Sequence, residues 1–203
     1  MKREILIDKW RTINVEDTYW SESIIDDWVK EKLPQYGIYA DKVHWSGFAS
    51  QGDGACFVGT VDLNEFCLRH ADTFPLLARW VRINGAALGV IRVTTSSRNY
   101  CHANTMRFES DNGFDEESFS DDIASDELTA AVAEKANWVS KAAAEYDALY
   151  LIVEEACKDS AREIYRELEV EFDYLTSDEV VWEAIEASEL HLEELLEEGN
   201  DDE

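Results

Sequence analysis

Between residues 42 and 61 the chain reads Lys42-Val43-His44-Trp45-Ser46-Gly47-Phe48-Ala49-Ser50-Gln51-Gly52-Asp53-Gly54-Ala55-Cys56-Phe57-Val58-Gly59-Thr60-Val61. Residues 42–49 and 55–61 are short runs rich in β-branched and aromatic side chains. Between them, Ser50-Gln51-Gly52-Asp53-Gly54 is turn chemistry, because an Asp-Gly pair tolerates positive φ. Two strands across a turn predict an antiparallel hairpin. A sheet built on it must bury its apolar face against helices.

The flanks supply those helices and further strands. Upstream, Ser21 to Leu33 places Ile24, Ile25, Trp28 and Val29 on one side and Asp26, Asp27, Lys30 and Glu31 on the other, with Gly37 as a stop. Downstream, Asp62-Leu63-Asn64-Glu65 is a capping-box variant that opens a helix to about Ile83. Pro75 interrupts it and Gly85 ends it. Leu88 to Thr95 and Tyr100 to Phe108 form a second strand pair. After Gly113 there is neither Gly nor Pro until Gly199, which favours helix. Leu128, Val132, Val139, Tyr146, Leu149, Val153 and Cys157 trace one apolar stripe that extends through Ile164 and Leu168. This predicts either one long helix packed across the sheet or a break near Glu145 to Leu149. Thr176 and Glu179 match a capping box that opens a last helix carrying Val181, Ile185, Leu192 and Leu195. The expected class is α+β: a small antiparallel sheet with two helices in the first half and long acidic helices in the second. The expected core is Trp45, Phe57, Leu63, Phe66, Leu77, Trp80, Val90, Ile91, Val132, Val139 and Val153.

Charge divides the chain differently. Residues 1–107 carry 13 acidic and 13 basic side chains, and residues 108–203 carry 32 acidic and 5 basic, for a total of −27. The expected organisation follows: a neutral core over 1–107, an acidic helical part over 108–203 packed on it, and a disordered acidic tail from about 197. A one-signed field attracts basic partners, repels nucleic acid and costs stability through self-repulsion. Direct nucleic-acid binding is therefore not expected, although Arg79, Arg82, Arg92, Arg98 and Arg107 could form a local basic face. No apolar run reaches the ~18–20 residues of a membrane span. Met1-Lys2-Arg3-Glu4-Ile5-Leu6-Ile7-Asp8 has only three consecutive apolar residues, too few for a secretory signal. A soluble, cytoplasmic protein is expected. The cysteines, Cys56, Cys67, Cys101 and Cys157, lack zinc-type pairing and read as buried thiols.

Two segments, Trp45-Ser46-Gly47-Phe48-Ala49-Ser50-Gln51-Gly52-Asp53-Gly54-Ala55-Cys56-Phe57 and Tyr174-Leu175-Thr176-Ser177-Asp178-Glu179, resemble an uncharacterised family of small bacteriophage and prophage proteins. That family has the pattern SGF-x-SQGDGA-x-F and a later YLTSDE, and its members are sometimes labelled antitoxins. The resemblance runs from about residue 15 to residue 187 and implies a mobile-element origin. It brings no catalytic residues, and the acidic ending after Ser188 departs from its pattern.

The leading candidate site is acidic. Glu163, Glu167 and Glu171 keep four-residue spacing, as do Glu179 and Glu183, with Glu186 and Glu193 further on. On a helix such neighbours lie ~5–6 Å apart between Cβ atoms and can imitate a line of phosphates. The expected partner is the basic surface of a host nucleic-acid-binding protein or nuclease, which a phage inhibitor of anti-CRISPR or anti-restriction type would occupy without enzymatic activity. The alternative is an antitoxin or regulatory subunit that binds through the apolar stripe at Tyr146 or Leu149, and a homodimer is possible. A weaker candidate is cation binding by Asp111, Asp115 and Glu117 in an oxygen-rich loop that lacks EF-hand spacing. His44, Ser46, Ser50 and Asp53 are ingredients for nucleophilic catalysis without a nucleophile elbow. No cofactor is expected.

Overall fold

The computed structural model describes residues 2–48, 53–85, 87–96, 100–126 and 132–188, and side chains within these except at 124–126 and 132–136. In chain order the elements are α1 (Lys2–Lys9), α2 (Tyr19–Asp27), β1 (Ile38–Ser46), β2 (Gly54–Asp62), α3 (Leu63–Arg69), α4 (Pro75–Ile83), β3 (Val90–Thr95), β4 (Met106–Ser110), α5 (Glu116–Asp126), α6 (Val132–Leu175) and α7 (Asp178–Ala187). The fold is α+β, as expected. It packs as two compact units, one of Asp26–Tyr165 and the other of Met1–Ile25 with the chain from Arg166 onward. The change of charge at residue 107 does not coincide with this division. α5 and most of α6, although acidic, bury apolar side chains in the same unit as the sheet, because packing follows the buried face and charge resides on the exposed one.

The larger unit holds an antiparallel meander in the order β1-β2-β3-β4. Ser46 pairs with Gly54 and closes the hairpin. The Asp-Gly pair is therefore not a tight two-residue turn: Gly54 lies within β2, and Gly47 takes the positive φ of 37°. Gly54 is required by close approach, since a Cβ there would meet the Cys101 carbonyl oxygen at 2.8 Å. Asp62 caps α3, its carboxylate accepting from the backbone N–H groups of Asn64 (2.8 Å) and Glu65 (3.1 Å). Glu65 does not complete the box but accepts from the Tyr39 hydroxyl at 2.8 Å.

α6 is one uninterrupted helix of 44 residues, with no break at Glu145 to Leu149. In the larger unit it buries Ala142, Tyr146, Leu149, Val153, Cys157, Ala161 and Ile164, at steps of three and four. Tyr150 donates to the Phe108 carbonyl of β4 (2.7 Å) and Tyr146 to that of Asn112 (2.8 Å), which fixes the helix against the sheet's last strand. Of the expected core, Phe57, Leu63, Phe66, Leu77, Trp80, Ile91 and Val153 are buried. Trp45, Val90 and Val139 are only half-buried, and the Val132 side chain lies outside the described ones. Trp45 stacks on Phe48 (5.5 Å) rather than entering the core.

Phe74, which precedes α4, has no side chain that can cap it. The Glu145 carboxylate from α6 supplies the cap, accepting from the N–H groups of Leu76 (3.0 Å) and Leu77 (3.1 Å). Burial raises the Glu145 pKa, and these two bonds oppose the rise. Replacing Glu145 with Ala should lower stability by about 1 kcal/mol, and replacing it with Gln, which keeps an acceptor oxygen, by less. Urea unfolding of the two variants checks the order.

Candidate functional site

The smaller unit is where the charge gathers. By sequence its segments hold 21 acidic and 5 basic side chains, a net of −16 of the chain's −27; eight of those carboxylates belong to residues 189–203, outside the described residues, and the described part carries 13 acidic and 5 basic. Arg166 is the last basic residue of the chain, and 16 carboxylates follow it. Upstream on α6, basic residues still offset acids: Arg162 bridges Glu155 and Asp159, and Lys158 lies 3.5 Å from Glu154. After Arg166 no such pairing is available from α6 itself.

The N-terminal segment makes this acidic helix end tolerable. The last turn of α6 contains no basic residue and carries Asp173, where the helix dipole favours cations. Arg11 donates to the Thr176 carbonyl (3.0 Å) and pairs with Asp8 and Asp178 (both 2.9 Å). Asn14 donates to the Leu175 carbonyl (3.0 Å). Two distant side chains thus satisfy terminal carbonyls and bring a cation to the negative pole. Thr176 does not cap α7, because its hydroxyl donates back to the Phe172 carbonyl (2.8 Å) and closes α6; Ser177 occupies the N-cap position. Ile7 of α1 packs with Val181 and Ile185 of α7, and Arg3 lies over the Trp182 ring at 5.0 Å.

Glu163, Glu167 and Glu171 all lie on α6, Glu163 exposed and the other two half-buried. The α-helical rise puts successive members about 6 Å apart along the axis. Glu179, Glu183 and Glu186 are exposed on α7, and Glu193 lies outside the described residues. Asp178 and Glu179 sit in the first turn of α7, where the helix dipole stabilises them. Sequence reasoning missed Arg11 and Asn14 because their partners are more than 160 positions away.

The other candidates are not assembled in the same way. Among the described residues no group of three or more His, Cys, Asp or Glu side chains is placed to hold a metal ion, so Asp111, Asp115 and Glu117 are not gathered into one. Asp115 caps α5, accepting from the Ser118 N–H (3.0 Å) and hydroxyl (2.9 Å), and these bonds lower its pKa. Asp111 lies 3.9 Å from Arg92. Ser46 donates to Asp53 at 3.4 Å, and Ser50 is outside the described residues. Burial, then Lys42, lowers the His44 pKa. Burial raises that of the half-buried Cys101, opposite to the shift of an activated nucleophile. Tyr146 and Leu149 are 8% and 0% exposed, so the apolar stripe there is core and not a docking face.

The family described as domain of unknown function DUF8835 matches residues 20–178. The chain belongs to that family. The matched span of this DUF8835 member covers the whole sheet and α6 and ends at the first residue of α7. No curated protein and no solved structure matches the chain. No helix among the described residues is long and apolar enough to cross a membrane.

Two outcomes test this geometry. Arg11→Ala should speed hydrogen exchange of the amides in the last turn of α6 while leaving β1 to β4 protected, as read by exchange mass spectrometry. With Cys67 and Cys157 pushed up to about 12 by burial, a thiol reagent at neutral pH should label Cys101 first and those two only on unfolding.

Proposed function

We propose that this protein is a non-enzymatic inhibitor of a nucleic-acid-binding protein, of the anti-CRISPR or anti-restriction kind, in which carboxylates take the place of phosphates. The observation that carries the reading is the one-signed charge: by sequence no Lys or Arg follows Arg166 and 16 carboxylates do, and among the described residues α6 beyond Arg166 and α7 carry eight of them. The spacing of about 6 Å between Glu163, Glu167 and Glu171 suits a row of Lys and Arg that otherwise meets a phosphate backbone. A rigid display also matters, because preorganised charges avoid an ordering cost on binding. The capping of α6 by Arg11 and Asn14 supports such rigidity. The target would be a host nuclease or other defence protein, met in the host cytoplasm.

The test is co-purification of the tagged chain with host proteins over a salt series, followed by nucleic-acid binding and cleavage assays on the captured protein. Screening shortens from ~10 Å at 0.1 M salt to ~3 Å at 1 M, so association should slow steeply across that range. Glu163→Gln, Glu167→Gln and Glu171→Gln together should slow association roughly tenfold at low salt. A salt-independent complex, or a captured protein that still binds its nucleic acid at full strength, would remove the proposal.

A further inference from the structure

We propose that the smaller unit carries a docking groove between α2 and the end of α6, and that its occupant is a basic amphipathic helix of the partner. A cleft of about 350 Å³ is lined by Ile24 of α2 and by Arg166, Glu167, Val170 and Glu171 of α6. The contact of Trp20 with Phe172, at 6.1 Å between rings, holds the two helices side by side. Val170 is 68% exposed, and Tyr174, one turn further along the same row, is 60% exposed. An exposed Val within a helix is a poor choice by itself: its branched side chain loses rotamer freedom without gaining burial. Beside another exposed apolar residue and an open groove, it is explained by burial in a complex.

Charge selects the occupant. Ile24 and Val170 give an apolar floor, and the charged lining is Glu167 and Glu171 against the single Arg166, with Glu169 and Asp173 on the same helix end, so the rim is acidic on balance. Residues 189–203 of this chain hold eight carboxylates and no Lys or Arg, so like-charge repulsion disfavours them as the cover. The same repulsion opposes a second copy of this unit. A helix with apolar residues at three- and four-residue steps and Lys or Arg on its flanks satisfies both the floor and the rim. The groove would thus add an apolar anchor to the electrostatic capture proposed above, on which it rests. Charge sets the rate of encounter, and the anchor sets the lifetime of the complex.

The experiment measures binding of two synthetic peptides to the full chain by fluorescence anisotropy. One is an amphipathic Leu/Lys helix; the other is a scrambled peptide of the same composition with no apolar face. The amphipathic peptide should bind about tenfold tighter, the order expected from burying one or two apolar side chains. Val170→Ser with Tyr174→Ser should remove that preference and leave the weaker affinity common to both peptides. Both substitutions are at exposed positions, and an unchanged thermal melt establishes that the fold is retained. Equal binding of the two peptides, or a preference that survives the double substitution, would overturn the groove. Self-association of the chain that the same substitutions abolish would also overturn it, since a second copy would then be the cover. Glu167→Gln with Glu171→Gln should weaken both peptides alike. If it weakens neither, electrostatic capture fails as well, whatever the preference between peptides.

Discussion

Helix α6 is the constraint on which the molecule depends. It carries 11 acidic and 5 basic residues over 44 positions, a composition that repels itself along the helix. Neither propensity nor surface pairing holds such a helix straight. Its stability comes from a buried face, in the larger unit Ala142 through Ile164 at steps of three and four, while its described carboxylates are exposed or half-buried and Glu145 is turned in to cap α4. Burial of the stripe offsets the repulsion among the charges on its other sides.

Helix ends are satisfied from far away in the chain. Glu145 on α6 caps α4, Asp122 on α5 accepts from the side chains of Trp80 on α4 and Asn84 just after it, and Arg11 and Asn14 hold the carbonyls at the end of α6. The bonds of Glu145, Arg11 and Asn14 stand in for caps that the local sequence does not supply, and those to Asp122 tie α4 to α5 through side chains. These side chains lie in the same position as any surface acid or base when read in one dimension. Their role is structural, and it explains why some charged residues of this acidic chain are not part of its display.

The apolar surface and the acidic surface have separate duties. The stripe at Tyr146 and Leu149, which as a sequence could equally have been a binding face, is spent on the core. Exposed apolar residues on α6 lie outside the stripe: Leu151 and Ile152 in the larger unit, and Val170 and Tyr174 in the acidic one. Buried and exposed apolar side chains on one helix are thus separated by rotation about its axis.

Periodicity and turn chemistry were enough for the class and for most elements. Two short strand-like runs around a turn-forming Asp-Gly pair located β1 and β2, Asp62 announced the start of α3, Pro75 the interruption between α3 and α4, and a breaker-free run with an apolar stripe announced α6. These signals lie in neighbouring positions along the chain, as caps, turns and three- or four-residue steps, so one chain read in order contains them. The sequence also located the acidic row at Glu163, Glu167 and Glu171, because helical spacing follows from residue number. Tertiary structure alone decided the rest. It made Gly54 a strand residue pressed against Cys101, turned Thr176 from the opening of α7 to the closing of α6, and joined the first 25 residues to the last helices in a unit that the charge count divides elsewhere. The physical reason is that close approach, long-range capping and burial depend on which surfaces meet, and residues more than 160 positions apart leave no trace of their meeting in local pattern.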